Sequence, residues 1–274
     1  MIKLPFCLKI VFLFAALAGL LSCREPDSEI THCWKVNRIQ IEEPVQMAAF
    51  PDFREPQTLD NCFLRFYPNQ TAVIWQKEQG YSVYQWSYSP KNEAYLVSGP
   101  GAQSSLQFRM VRREGESAKL AVLNDADRET GVNLLISTTR LYEDDEMDLL
   151  HPDMNAWRFR PARRESPKEL EKRVWGMVNF VVNYFELIER KDQRYFETPI
   201  LQSPFRFYSG GIGITREEAL PDVWVNCFYD KEDVHKAYLI LTDAFDKDIE
   251  YPKDTRKHTE GYLKVLKAVR FNLE

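Results

Sequence analysis

The chain has 274 residues, and 36 Lys and Arg against 41 Asp and Glu give it a net charge of −5 at pH 7. That balance argues against a nucleic-acid partner, whose phosphates must be met by a cationic surface. With 44% hydrophobic and 13% aromatic residues it can bury a core, and its length suits two modest domains. No second long apolar run follows the N-terminus, which excludes a further hydrophobic helix of membrane-spanning length.

The chain opens with Lys3 and an apolar run of about a dozen residues from Ile10 to Leu21, within the range of a secretory signal and short for a bilayer span. Leu20, Leu21, Ser22 and Cys23 then resemble the lipobox of bacterial lipoproteins. The resemblance implies removal of residues 1–22, diacylglycerol on the Cys23 thiol and a further acyl chain on the new amino group. Several acyl chains hold a protein to a membrane durably where one does not. Cleavage would also remove Lys3 and Lys9, leaving a mature chain more acidic than the whole. Residues 23–31 read as the acylated Cys and a short polar tether. Glu25, Asp27 and Glu29 are similar to the acidic stretches that follow the lipidated Cys in some Bacteroidetes-type lipoproteins, although Arg24 departs from that pattern. The expected location is the cell envelope, with lipid anchoring at the outer membrane.

Residues 32–142 read as all-β. Short alternating or apolar runs fall near 33–41, 60–67, 71–77, 81–88, 94–98, 104–112, 117–123 and 132–142. Leu106, Phe108 and Met110 share one face of a strand while Gln107 and Arg109 share the other. Pro68, Asn69 and Gln70, then Pro90 to Asn92, Gly99 to Gly101, and Gly115 supply turns. Sequential strands joined by hairpins predict an up-and-down barrel, which has no exposed edges.

Thr31 to Val36 around Trp34, Phe63 to Gln70, and Trp86 to Tyr88 resemble the small lipocalin-like barrels of Bacteroidetes-type lipoproteins. The resemblance covers under half the chain. It implies that Trp34 packs under an Arg from the last strand, for which Arg140 is the candidate, and so closes the barrel floor. His32 stands where the lipocalin motif carries Gly, which leaves the likeness architectural. Trp75, Trp86 and Phe108 are the candidate lining of a cup for a small apolar or glycan ligand; a packed core without a cavity is the alternative. Cys33 and Cys62 open two neighbouring strands, where one disulfide or two buried thiols would both fit.

Residues 143–165 form a charged linker, acidic over Glu143–Asp148 and basic over Arg158–Arg164. These are either two solvated faces or a mutually attracting pair that sets the domain angle. Residues 166–274 read as a smaller α+β domain with two to three helices, so the whole chain is α+β. Ser166, Pro167 and Glu169 form a capping box with Pro at the first helical position. Leu170, Val174, Met177, Val178, Val181, Val182, Phe185 and Ile188 then make the stripe of a helix running to about Arg190. Trp175 and Tyr184 lie off that stripe and suggest where it meets the barrel. A hairpin is expected around Gly210–Gly211 and a short strand at Val223–Val225. A helix of about 231–248, capped by Asp230, follows, and another from about Thr259 to Phe271.

Catalytic signals are weak. Gly210, Gly211 and Gly213 lack the Lys and Ser or Thr of a phosphate loop, and strand residues follow them. The four His residues show no metal-ligand spacing, and the Asp125–Gly131 segment lacks the mid-loop Gly and terminal Glu of a calcium hand. Cys227 and His235 match no nucleophile motif. The expectation is therefore a non-catalytic lipoprotein without cofactor or metal, bound to the membrane through its lipid. It would bind a small apolar or glycan ligand or an envelope protein, or serve as a structural subunit of an envelope assembly; an envelope hydrolase is the third alternative.

Overall fold

Alternation and turn chemistry produce eight strands in the first half: β1 (Cys33–Ile41), β2 (Phe63–Phe66), β3 (Thr71–Gln76), β4 (Gly80–Ser89), β5 (Ala94–Ser98), β6 (Ser105–Glu114), β7 (Ser117–Leu123) and β8 (Glu129–Thr138). They follow sequence order round a closed barrel in which β1 returns to pair with β8. The computed structural model describes residues 29–42, 62–76, 80–99, 105–124, 126–139, 147–191, 203–208, 211–247, 249 and 258–274. Each turn has its own local chemistry. At Tyr67–Thr71 the Gln70 N–H donates to the Tyr67 carbonyl at 3.0 Å, Asn69 Oδ1 accepts from the Thr71 N–H, and Gln70 adopts φ 64°. At the β7–β8 turn Asn124 Oδ1 accepts from the N–H groups of Ala126 and Arg128, an Asx turn.

The barrel wall has two apolar faces. Inside lie Trp34, Val36, Leu64, Phe66, Ile74, Trp86, Tyr95, Phe108, Leu120 and Ile136, among others. Outside, Phe63, Val73 and Trp75, with Tyr81 and Val83 beside them, belong to a second core shared with the C-terminal half. β3 is therefore buried on both sides, which explains why its sequence shows no polar alternation. A β-bulge between Met110 and Arg112 shifts the β6 register by one residue, so that Arg113 pairs with the inward-facing Ala118.

The chain then crosses the outer wall in a 3₁₀ turn (Pro152–Arg158) and enters α1 (Pro167–Lys191). The capping box forms in both directions: the Ser166 N–H donates to Glu169 Oε2 at 2.7 Å and the Glu169 N–H to Ser166 Oγ at 3.4 Å. Hydrogen bonds from the Arg163 guanidinium and from Ser166 hold the Glu169 carboxyl down at about 2. β9 (Phe205–Tyr208) and β10 (Gly211–Ile214) make the expected hairpin, with Tyr208 paired to Gly211. The expected strand at Val223–Val225 is instead a one-turn helix, α2 (Asp222–Val225). Pro221 starts it, the Val225 N–H closes the turn onto the Pro221 carbonyl, and Trp224 is drawn inward to donate Nε1 to Met177 Sδ at 3.0 Å. Tertiary burial overrides the β preference of the two valines. α3 (Lys231–Asp246), capped by Asp230 through the Asp233 N–H, and α4 (His258–Asn272) complete the layer.

α1 packs on α3, α4 and the 3₁₀ turn, and it meets the barrel largely through that turn. Tyr184 is buried in the core that the outer barrel wall shares with the helical unit. The basic stretch pairs within its own half. Arg163 bonds Glu169, Arg164 bonds Asp230 and Glu232, and Arg160 donates to the Tyr229 carbonyl. Residues 143–146 lie outside the described residues.

Gly176 faces the Trp157 side chain, and a Cβ there would lie 3.6 Å from Trp157 Cβ, an ordinary contact. Gly176→Ala should therefore stabilise the fold by about 0.5–1 kcal/mol through helix propensity. Chemical denaturation would check this, and a loss of stability would show that α1 and the turn are packed more tightly than the geometry indicates.

Candidate functional site

Trp34 is the second residue of β1 and is fully buried. Its Nε1 donates to the Ile30 carbonyl at 2.9 Å, and the His32 ring meets it edge-on at 5.8 Å between centroids. Arg113 lies 5.5 Å from its ring centroid, donates Nη1 to the Glu29 carbonyl at 2.8 Å, and sits 3.3 Å from His32 Nε2. A cation thus covers the Trp34 face, a contact worth about 0.5–2 kcal/mol. It comes from β6; Arg140, the residue expected there, lies outside the described residues. Only the bulge before Arg112 brings Arg113 to this side, and no pattern in the sequence marks that bulge.

Above the floor, four aromatic rings cluster on the inner wall. Phe66 meets Trp86 at 5.9 Å and Phe108 at 5.8 Å, and Tyr95 stacks on Phe108 at 5.6 Å and approaches Trp86 at 6.3 Å. Trp86 Nε1 donates to the Tyr67 carbonyl at 2.9 Å. Trp86 and Phe108, two of the three candidate lining residues, are therefore brought together. Trp75 is not: it sits on the outer face against Phe63 at 5.8 Å, because Ala72 and Ile74 take the inward positions of β3.

Cys33 and Cys62 are buried on opposite faces of the wall, Cys33 in the outer core and Cys62 in the inner one. They are not bonded to each other. Strand alternation separates two thiols that the sequence places on adjacent strands. Burial pushes the Cys227 thiol up to about 11, and its Sγ donates to the Val223 carbonyl at 3.0 Å. It is therefore a neutral core thiol at physiological pH. His235 Nδ1 lies 2.9 Å from Glu217 Oε1 on an exposed face. Among the described residues no group of three or more His, Cys, Asp and Glu side chains could hold a metal ion, and no helix is long and apolar enough to cross a membrane.

The most concentrated polar chemistry lies at the seam between barrel and helices, which the sequence did not reveal. Arg65 Nε sits 3.3 Å from Asp148 Oδ2, both side chains are 13% exposed, and the Arg65 guanidinium lies 4.8 Å from the Tyr67 ring centroid. The His151 ring meets Tyr67 edge-on at 5.3 Å. Tyr81 donates to the Leu150 carbonyl at 2.7 Å. Asn155 donates Nδ2 to the carbonyls of Leu149 and His151 and accepts from Arg158 Nε at 2.8 Å. Arg158 lies over Trp157 and Phe180, and burial pulls its pKa down to about 10. Burial raises the Asp148 carboxyl above its ordinary value against the lowering pull of Arg65. Chemically, the arrangement is a clamp: it fixes the 3₁₀ turn to the barrel wall.

These features define a class: a closed eight-stranded antiparallel barrel, consistent with a lipocalin-like one, followed by a smaller helical unit, α+β overall. No family model matches the chain, and no curated protein or solved structure matches it.

Arg65→Ala should cost about 1–3 kcal/mol at neutral pH, because it leaves a largely buried carboxylate without its cation. The sign with pH follows from the raised Asp148 pKa. A raised carboxyl contributes stability that is present below its unfolded value and lost as pH rises through its folded value, and removing Arg65 raises it further. The penalty should therefore shrink as pH falls from neutral into the carboxylate range, where a protonated Asp148 needs no cation. Denaturation of both proteins across that range checks it, and a pH-independent penalty would contradict it.

Proposed function

We propose that this chain is a lipoprotein of the cell envelope, held at the outer membrane through acylated Cys23, that acts without catalysis as a binding module for an envelope protein partner. The observation that carries a protein partner over a small ligand is the barrel interior. Trp34, Phe66, Trp86, Tyr95, Phe108 and Leu120 are each at most 3% exposed there, so the chain's own side chains occupy the volume a carrier would keep for cargo. The neutral, buried Cys227 thiol agrees with a non-catalytic role.

A second reading, a small apolar or glycan ligand, has one observation in its favour. Tyr84, Tyr88, Leu106 and Met110 on the inner wall of β4 and β6 stay partly exposed beside the Trp86–Phe108 group. A structural subunit of an envelope assembly would use the same tether and the same packed barrel, with a permanent partner.

Two measurements test this reading. Wild-type protein should incorporate labelled palmitate and fractionate with membranes, and Cys23→Ala should do neither; a soluble, unlabelled wild type would end the lipoprotein reading. Titration with the apolar probe anilinonaphthalene sulfonate should show no saturable site. Saturable, stoichiometric binding that Trp86→Ala abolishes while leaving the circular dichroism intact would replace the partner with a ligand.

A further inference from the structure

We infer that the closed floor of the barrel faces the bilayer, and that the opposite rim, which carries the β7–β8 turn, points away from it. This rests on the acylation of Cys23 proposed above, and it concerns how that anchor presents the folded body. The floor is the end where β1 begins and where the turns at 67–70, 90–93 and 115–116 lie; the rim is the end where β7 passes to β8 at Asn124–Arg128.

The chain is pinned to the floor before β1 starts. Ile30 is 0% exposed within the inner core, its carbonyl accepts from Trp34 Nε1, and the Glu29 carbonyl accepts from Arg113. Only five residues, and so six residue-to-residue steps, separate Cys23 from Glu29. Whatever their conformation, they span at most about 20 Å at full extension. A ten-residue strand such as β6, tilted as barrels require, gives the wall a height of about 25 Å. Inverting the barrel would oblige the tether to travel that whole height and round the wall as well, which exceeds its reach.

Lying flat is disfavoured by chemistry. The wall of β6–β8 away from the helical unit neutralises much of its own charge. Lys119 pairs with Glu42 at 2.9 Å, Arg109 with Glu129 at 3.6 Å, and Arg112 with Glu114. It offers lipid headgroups little unmatched cationic charge, and the chain as a whole is acidic. The lipid anchor alone therefore draws the molecule down, and it pulls at the floor.

Lys91 on the floor and Ala126 at the rim are both exposed. Lys91→Cys and Ala126→Cys, made separately in the full chain and purified from membranes, would carry a fluorophore at either end. Wild type, whose Cys33, Cys62 and Cys227 are buried, is the labelling blank. Reconstituted into vesicles of phosphatidylethanolamine and phosphatidylglycerol in equal parts, doped with headgroup-nitroxide lipid, position 91 should be quenched severalfold more than position 126. Inserting about 20 Gly and Ser residues between Cys23 and Glu29 lengthens the reach well past the barrel height and should even out the two positions. Equal quenching without the insertion, or stronger quenching at 126, overturns the orientation while flotation with the vesicles still upholds the anchor. An insertion that leaves the difference unchanged overturns reach as its cause. Wild type that does not float with the vesicles sinks the acylation reading and the orientation with it.

Discussion

The structure depends on β3 being buried on both faces. Its inward residues, Ala72 and Ile74, help fill the barrel, and its outward residues, Val73 and Trp75, belong to the core that the helical unit shares. A small barrel with one solvated wall buries apolar surface on a single side of each strand. Here the β2–β4 wall is sandwiched between two cores, and the helical layer gains a flat apolar base it could not build from its own short hairpin. The two halves of the chain therefore stabilise each other, and the polar clamp of Arg65, Asp148, Tyr81 and Asn155 fixes their register along that wall.

The same arrangement shapes the functional reading. Aromatic residues are the raw material of both a ligand cup and a packed core, and the difference lies in which side of the wall they occupy. With Trp75 outside and Phe66, Trp86, Tyr95 and Phe108 in mutual ring contact inside, most of the aromatic content is used in packing. Recognition then belongs to the outer surfaces and loops, which vary most easily on a rigid scaffold.

Much of the architecture was legible in the sequence. The bounds of β1, β5 and β7 coincide with the alternating runs read from it, and the Ser166–Glu169 box marks the start of α1 within a residue. Where the reading failed, the cause is physical. A strand buried on both faces carries no alternation, so Trp75 was read as lining although it faces the outer core. Val223–Val225 has strand composition but is pulled into a helical turn by Pro221 and by the burial of Trp224. Arg65 and Asp148 lie far apart in the chain, and each looks like an ordinary surface charge until the fold brings them together. Of the candidate lining residues, Phe108 lies between Gln107 and Arg109 and Trp86 between the exposed Gln85 and Ser87, so local polar alternation marks their inward side.

The surplus residue in β6 has a broader consequence. By shifting the frame of one strand near its end, it converts a side chain that would hang in water into the plug beneath Trp34, without altering any other strand. The bulge absorbs one residue, so the two-residue turn at Gly115–Glu116 is kept and Arg113, rather than Arg112, stands opposite Ala118. Loss of Val111 would restore regular pairing and leave the guanidinium beneath Trp34, so the seal tolerates a single-codon deletion at the bulge.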